Sequence, residues 1–100
     1  MYDVMKEVRF SPARPVSRLL LDSPEMRVVV FGIDAGQEIP SHTAPSRVLM
    51  HVVRGKGVFV IGQGTRPAES GTFVVTEPNE PHGWKATEQT ILLAVIAPRP

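Results

Sequence analysis

The sequence predicts an all-β fold, a barrel or sandwich of eight or nine short antiparallel strands. Three observations predict it. Ten prolines and eight glycines are spread over 100 residues without a repeat period, so turn signals recur along the whole chain. Between them lie short runs rich in Val, Ile, Phe and Thr, which suit a pleated, half-buried surface. No segment carries the sustained 3.6-residue apolar period of a long amphipathic helix. Short strands with turns at regular spacing mark double-sheet and closed β architectures.

Residues 1–15 end in Ser11-Pro-Ala-Arg-Pro15, and each proline pushes its predecessor toward extended backbone, so an extended lead-in is expected there. Val16 to Leu21 is a short apolar strand stopped by Asp22-Ser-Pro24. Met26 to Ile33 is dense in β-branched and aromatic residues and closes on the turn Asp34-Ala-Gly36. Val48 to Val53 is the next strand; Gly55-Lys-Gly57 turns into Val58-Phe-Val-Ile61, and the pair reads as a β-hairpin. Gly62-Gln-Gly64 turns again, and Thr65 to Glu69 is polar. Thr72 to Thr76 is a strand, Glu77-Pro-Asn-Glu-Pro81 a loop, and His82 to Ala86 a short extended segment. Thr90 to Ala97 is the last strand, ended by Pro98. Strands 28–33, 48–53 and 91–97 are apolar on both faces. An antiparallel sheet normally shows water one polar face. A second subunit covering the outer face, hence a homodimer, is the expectation.

Composition narrows the function classes. Net charge is +1 and the basic residues are scattered, so no surface tracks a phosphate backbone and nucleic acid is not expected as a partner. No apolar run reaches the length of a membrane helix and the first residues lack a signal-type apolar core, so no membrane partner and a cytoplasmic location are expected. The absence of cysteine removes disulfides, thiolate metal sites and a cysteine nucleophile. No Gly-x-x-x-x-Gly-Lys cradle occurs, the Gly-x-Gly pairs precede no helix, and no nucleophile-elbow pattern is present.

The chemistry-bearing residues are three histidines. Imidazole ligates transition metals, acts as a general base, and exchanges hydrogen bonds with organic ligands. His42 and His82 each follow a turn near the start of a strand, so a barrel can aim both at one cavity. Trp84 lies two residues after His82 and shares its strand face; Met50 lines the same interior by alternation. Trp84 is equally at home as a core residue, and a methionine at position 50 is more often filler. Alternation sets Val48, Met50 and Val52 on one face of their strand and Leu49, His51 and Val53 on the other. His51 therefore has two readings. A bulge turns it inward as a third metal ligand, or it stays on the outer face, at a dimer interface. Arg47 stands before this strand, within reach of the cavity mouth and an anionic ligand, or solvated. Glu77 and Glu80 precede His82, one of them placed to fix an imidazole tautomer, or both simply solvated.

Two segments carry a family resemblance: 36–55, from Gly36 through His42-Thr-Ala-Pro45 to Gly55, and 71–82, from Gly71 through Asn79 to His82. They resemble the two motifs of the cupin superfamily, the small jelly-roll (RmlC-like) barrels, and the resemblance extends over a single domain of residues 1–100. Gly36, His42, Gly55, Gly71 and His82 match motif positions. Glu77 and Asn79 stand where the second motif has proline and glycine, and asparagine tolerates the left-handed turn that glycine would make. The resemblance implies a metal site of two histidines and a glutamate from the first motif and one histidine from the second. Only His42 and His82 remain of that set, since Ala44 and Val48 occupy the other two positions. The chain is similar to a subgroup of small cupins with His-Thr-Ala-Pro in the first motif. By resemblance, cupins carry out dioxygenation, isomerisation and decarboxylation with iron, manganese, nickel or zinc. The readings left open are a histidine-lined pocket that takes a divalent metal, held by His42, His82 and His51, together with a small organic ligand; a metal-dependent dioxygenase or isomerase; a metal-free pocket that binds or senses a small molecule; and a purely structural dimer.

Overall fold

The computed structural model describes residues 1–100 and folds them into one helical turn and nine strands. The helical turn α1, Val4–Glu7, interrupts the extended lead-in expected over 1–15; the Asp3 carboxylate caps it by accepting from the Met5 N–H at 3.1 Å. The strands are β1 Val16–Asp22, β2 Arg27–Ile33, β3 Glu38–His42, β4 Arg47–Arg54, β5 Lys56–Ile61, β6 Gly64–Glu69, β7 Phe73–Thr76, β8 His82–Ala86 and β9 Thr90–Ala97. They form two antiparallel sheets, ordered β1-β2-β9-β4-β7 and β3-β8-β5-β6. No helix is long and apolar enough to cross a membrane.

Three elements differ from the sequence reading. Glu38–His42 and Gly64–Glu69 are strands, although neither has a run of apolar residues. Both lie at an edge of the four-stranded sheet, where water replaces half of the side-chain burial that gives a strand its sequence signal. The expected hairpin of 48–53 with 58–61 does not form. β4 pairs with β9 and β7, whereas β5 pairs with β6 and β8 in the facing sheet. A glycine turn announces a reversal, and local sequence does not distinguish a return in the same sheet from a step across to the other. The hairpin lies one turn later, where Ile61 pairs with Gly64 across Gly62 and Gln63.

The core lies between the sheets. Val48, Met50, Val52, Leu92 and Ala94 face it from one sheet, and Phe59, Ala68, Trp84 and Ala86 from the other. Trp84 and Phe59 are fully buried and meet edge to face with ring centroids 4.6 Å apart, a geometry worth about 0.5–1.5 kcal/mol beyond the area buried. A second, smaller cluster sits outside the five-stranded sheet: Val4 and Val8 of the N-terminal segment pack on Val30, Ile91, Leu20, Val53 and Leu93. The segment reaches this close because Gly32 has no side chain; a Cβ there would lie 1.9 Å from the Arg9 carbonyl oxygen. Beyond this cover, the same outer face carries Leu49, His51 and Val95, with Phe73 and Val75 59% and 46% exposed.

Candidate functional site

The barrel interior opens at one end into a cavity of about 70 Å³. Its wall is aliphatic and aromatic, from Phe31, Ile39, Ala44, Val48, Met50, Trp84, Leu92, Ala94 and Ile96, and its two strongly polar side chains are His42 and His82. The chain thus brings together four residues expected from sequence, His42, Met50, His82 and Trp84. Alternation along 28–33 and 91–97 could also have found Phe31, Leu92, Ala94 and Ile96, which share the inward faces of their strands. Ile39 and Ala44 give no such signal, because both belong to the irregular edge around β3.

That edge places His42. β3 pairs with β8 so that Ile39 opposes Trp84 and His42 opposes His82. Two residues, Pro40 and Ser41, span the interval that Gly83 alone spans on β8. This is a β-bulge. Simple alternation from the inward Ile39 would turn His42 outward; the extra residue turns it inward. Gly83 makes room for the bulge, since a Cβ there would sit 2.7 Å from the Ile39 carbonyl oxygen and 3.0 Å from the Ser41 nitrogen.

The two imidazoles meet with ring centroids 4.3 Å apart and an interplanar angle of 66°. His42 is exposed at the mouth and His82 is 3% exposed. His42 Nδ1 lies 3.0 Å from the Pro40 carbonyl oxygen, and His82 Nδ1 lies 3.0 Å from the Glu80 carbonyl oxygen. A carbonyl only accepts, so Nδ1 donates in both rings and carries the proton. In its neutral form each ring then presents Nε2 as a lone pair with no partner in the protein. Burial pushes the His82 pKa down, the Glu80 carbonyl counteracts this, and the neighbouring His42 pushes it further down. Thr76 Oγ1, buried at the end of β7 beside β4, lies 3.5 Å from both His82 Nδ1 and the Val48 carbonyl oxygen. The Trp84 indole N–H is fully buried and has no acceptor in the protein.

The other sequence candidates fall elsewhere. His51 does not join the pair: Val48, Met50 and Val52 face the core, and His51 lies on the opposite face of β4 between Phe73 and Leu93. β4 keeps its alternation up to Val52, and its irregularity comes only between Val52 and Arg54, too late to turn His51 inward. Arg47 pairs with Glu77 at 2.6 Å on the surface, an exposed contact of small energetic value. The tautomer of His82 is fixed by the Glu80 backbone rather than by a carboxylate; the Glu80 side chain accepts instead from the Glu77 N–H at 3.0 Å. Asn79 adopts φ +67°, the left-handed turn expected in place of glycine.

The sequence matches the cupin domain family model over residues 29–97. The chain belongs to the cupin family. It is similar in structure to an RmlC-like cupin protein from Desulfovibrio desulfuricans, with 33% identity, a TM-score of 0.91, and coverage of 98% of this chain and 95% of that one. A double-stranded β-helix protein of Klebsiella pneumoniae gives 28% identity, a TM-score of 0.91, and coverage of 98% and 89%. Salicylate 1,2-dioxygenase from Pseudoaminobacter salicylatoxidans shares the fold at 18% identity and a TM-score of 0.80, over 86% of this chain and 27% of the dioxygenase. No curated protein matches.

Metal is common in cupins, and the donor set tests whether it suits this one. The side chains of Ala44 and Val48 line the cavity at the two vacated motif positions and offer no ligand atom. No three His, Cys, Asp or Glu side chains converge anywhere in the chain. Catalytic zinc sites generally use three protein ligands and structural ones four. The residues present do not fit a resident metal ion held by protein ligands alone.

Proposed function

We propose that this cupin binds a small organic molecule in the cavity between its sheets, with His42 and His82 as the polar contacts that orient it. The observation that supports this is the meeting of two histidines from different strands, each with a free Nε2, at the mouth of an otherwise apolar cavity. Small-molecule sites have this character: apolar walls and a few convergent polar groups. On this reading the protein is a binding or sensing module, and the free lone pairs take a ligand hydrogen bond or a proton.

The alternative is a divalent-metal enzyme of dioxygenase or isomerase type using zinc, nickel, iron or manganese. Family membership favours it, and the two-imidazole donor set weighs against it. A homodimer through the outer face of the five-stranded sheet accompanies either reading. The bare part of that face, around Leu49, His51, Phe73, Val75 and Val95, is apolar apart from His51 and is bordered by the Arg47–Glu77 ion pair.

The deciding experiment combines elemental mass spectrometry on chelator-free protein with a thermal-shift screen of small organic molecules. Organic ligands that raise the Tm of the wild type and not of His42→Ala, in protein without stoichiometric metal, support the binding module. About one transition metal per chain, lost in both His42→Ala and His82→Ala, supports the enzyme reading instead.

A further inference from the structure

We infer that the polar end of the cavity receives an uncharged hydroxyl group, of an alcohol or a phenol, which donates to His82 Nε2. The inference rests on the small-molecule reading and specifies its ligand class. Both Nδ1–H donors are spent on backbone carbonyls, Pro40 for His42 and Glu80 for His82. What the neutral rings have left to offer is acceptors, and a ligand that meets an acceptor must bring a donor.

This selects among chemical classes. A carboxylate brings only acceptors and would face two lone pairs. A bare divalent ion would find two nitrogens and no third ligand. A hydroxyl brings the proton that His82 Nε2 lacks. His42 is exposed to bulk water, whereas His82 is 3% exposed and lines the cavity, so of the two it is the ring a cavity ligand meets. Size adds a limit. At about 70 Å³ the cavity is roughly half the size of a 150 Å³ engineered apolar cavity that takes up benzene. A short aliphatic stem fits inside, and a larger body must extend through the mouth.

The test uses full-length protein labelled with ¹⁵N-histidine at about pH 8, above the ordinary histidine pKa. Nε2 resonances are followed in long-range proton–nitrogen correlation spectra during titration with 1-butanol, with butyrate, and with zinc chloride alone. The expected result is that 1-butanol moves the His82 Nε2 resonance and binds at least about tenfold more tightly than butyrate, a difference of about 1.4 kcal/mol. His82→Gln should lose this preference for the alcohol while His51→Ala keeps it. Zinc saturating both Nε2 resonances at one equivalent would overturn the inference together with the small-molecule reading, in favour of the metal site; butyrate binding equally well would overturn the inference and leave the pocket reading standing. So would 1-butanol shifting cavity methyl groups without moving His82. If no probe perturbs either histidine or the cavity methyls, the inference and the pocket reading fall together.

Discussion

Gly83 lies against the backbone of Ser41 so closely that a Cβ on Gly83 would come within 3.0 Å of the Ser41 nitrogen and 3.1 Å of its Cα. The contact holds the bulge that turns His42 toward His82. Gly83→Ala must move rigid backbone rather than a flexible side chain. It should cost about 1–3 kcal/mol, in the range of other overpacking substitutions, and for a domain of this size lower Tm by roughly 4–8 °C per kcal/mol. It should also weaken ligand binding in the surviving folded fraction, because His42 loses its inward aim. Calorimetry on the folded variant separates the two effects, and unchanged affinity would remove Gly83 from the site's support.

Stability should depend on pH through His82. Its pKa in the fold is lowered chiefly by burial, so the unfolded chain binds a proton at higher pH than the native one does. Stability then rises with pH across the window between the lowered value and about 6.5, and is lost as pH falls through it. Thermal melts from about pH 7.5 to 5 should show the decline. His82→Gln should flatten it, and a variant with the same slope as wild type would assign the effect to another group.

The vacated ligand positions offer a gain-of-function test. Ala44 and Val48 both line the cavity with His42 and His82. The double substitution Ala44→His, Val48→Glu restores the four-residue donor set of metal-binding cupins. It should bind zinc or nickel at one equivalent, at least about tenfold more tightly than the wild type, which corresponds to about 1.4 kcal/mol. Without metal the buried glutamate should lower Tm, since an unpaired buried carboxylate is costly. Titration calorimetry and apo–holo melts check both parts.

His51→Glu should break a homodimer and spare the cavity. His51 lies on the outer face of β4, flanked by Phe73 and Leu93, and a carboxylate there would have to be desolvated at the interface. Sedimentation velocity should show a shift toward monomer, with the wild-type response to cavity ligands retained. A wild type that is already monomeric at high micromolar concentration would eliminate this interface.

Much of the architecture was legible in sequence because side-chain period and turn chemistry are local properties. The runs 28–33, 48–53 and 91–97 announced β2, β4 and β9. The alternation that set Val48 and Met50 against His51 on opposite faces of one strand also holds in the fold. Edge strands β3 and β6 stayed hidden, because residues such as Glu38, Ser41 and Arg66 face solvent and leave no apolar trace.

By itself the sequence determined a β fold of many turns, the cupin motif positions at His42 and His82, the loss of two motif ligands at Ala44 and Val48, and the surplus of apolar faces. Only the tertiary structure decided that β4 and β5 belong to different sheets, that His82 takes its tautomer from the Glu80 carbonyl, and that the inward turn comes in β3 rather than in β4. The physical reason is register. A strand's facing repeats every two residues, so one inserted residue reverses every side chain beyond it. Where that residue is inserted depends on which backbone lies opposite, and here it is Gly83, distant in sequence from the bulge it accommodates.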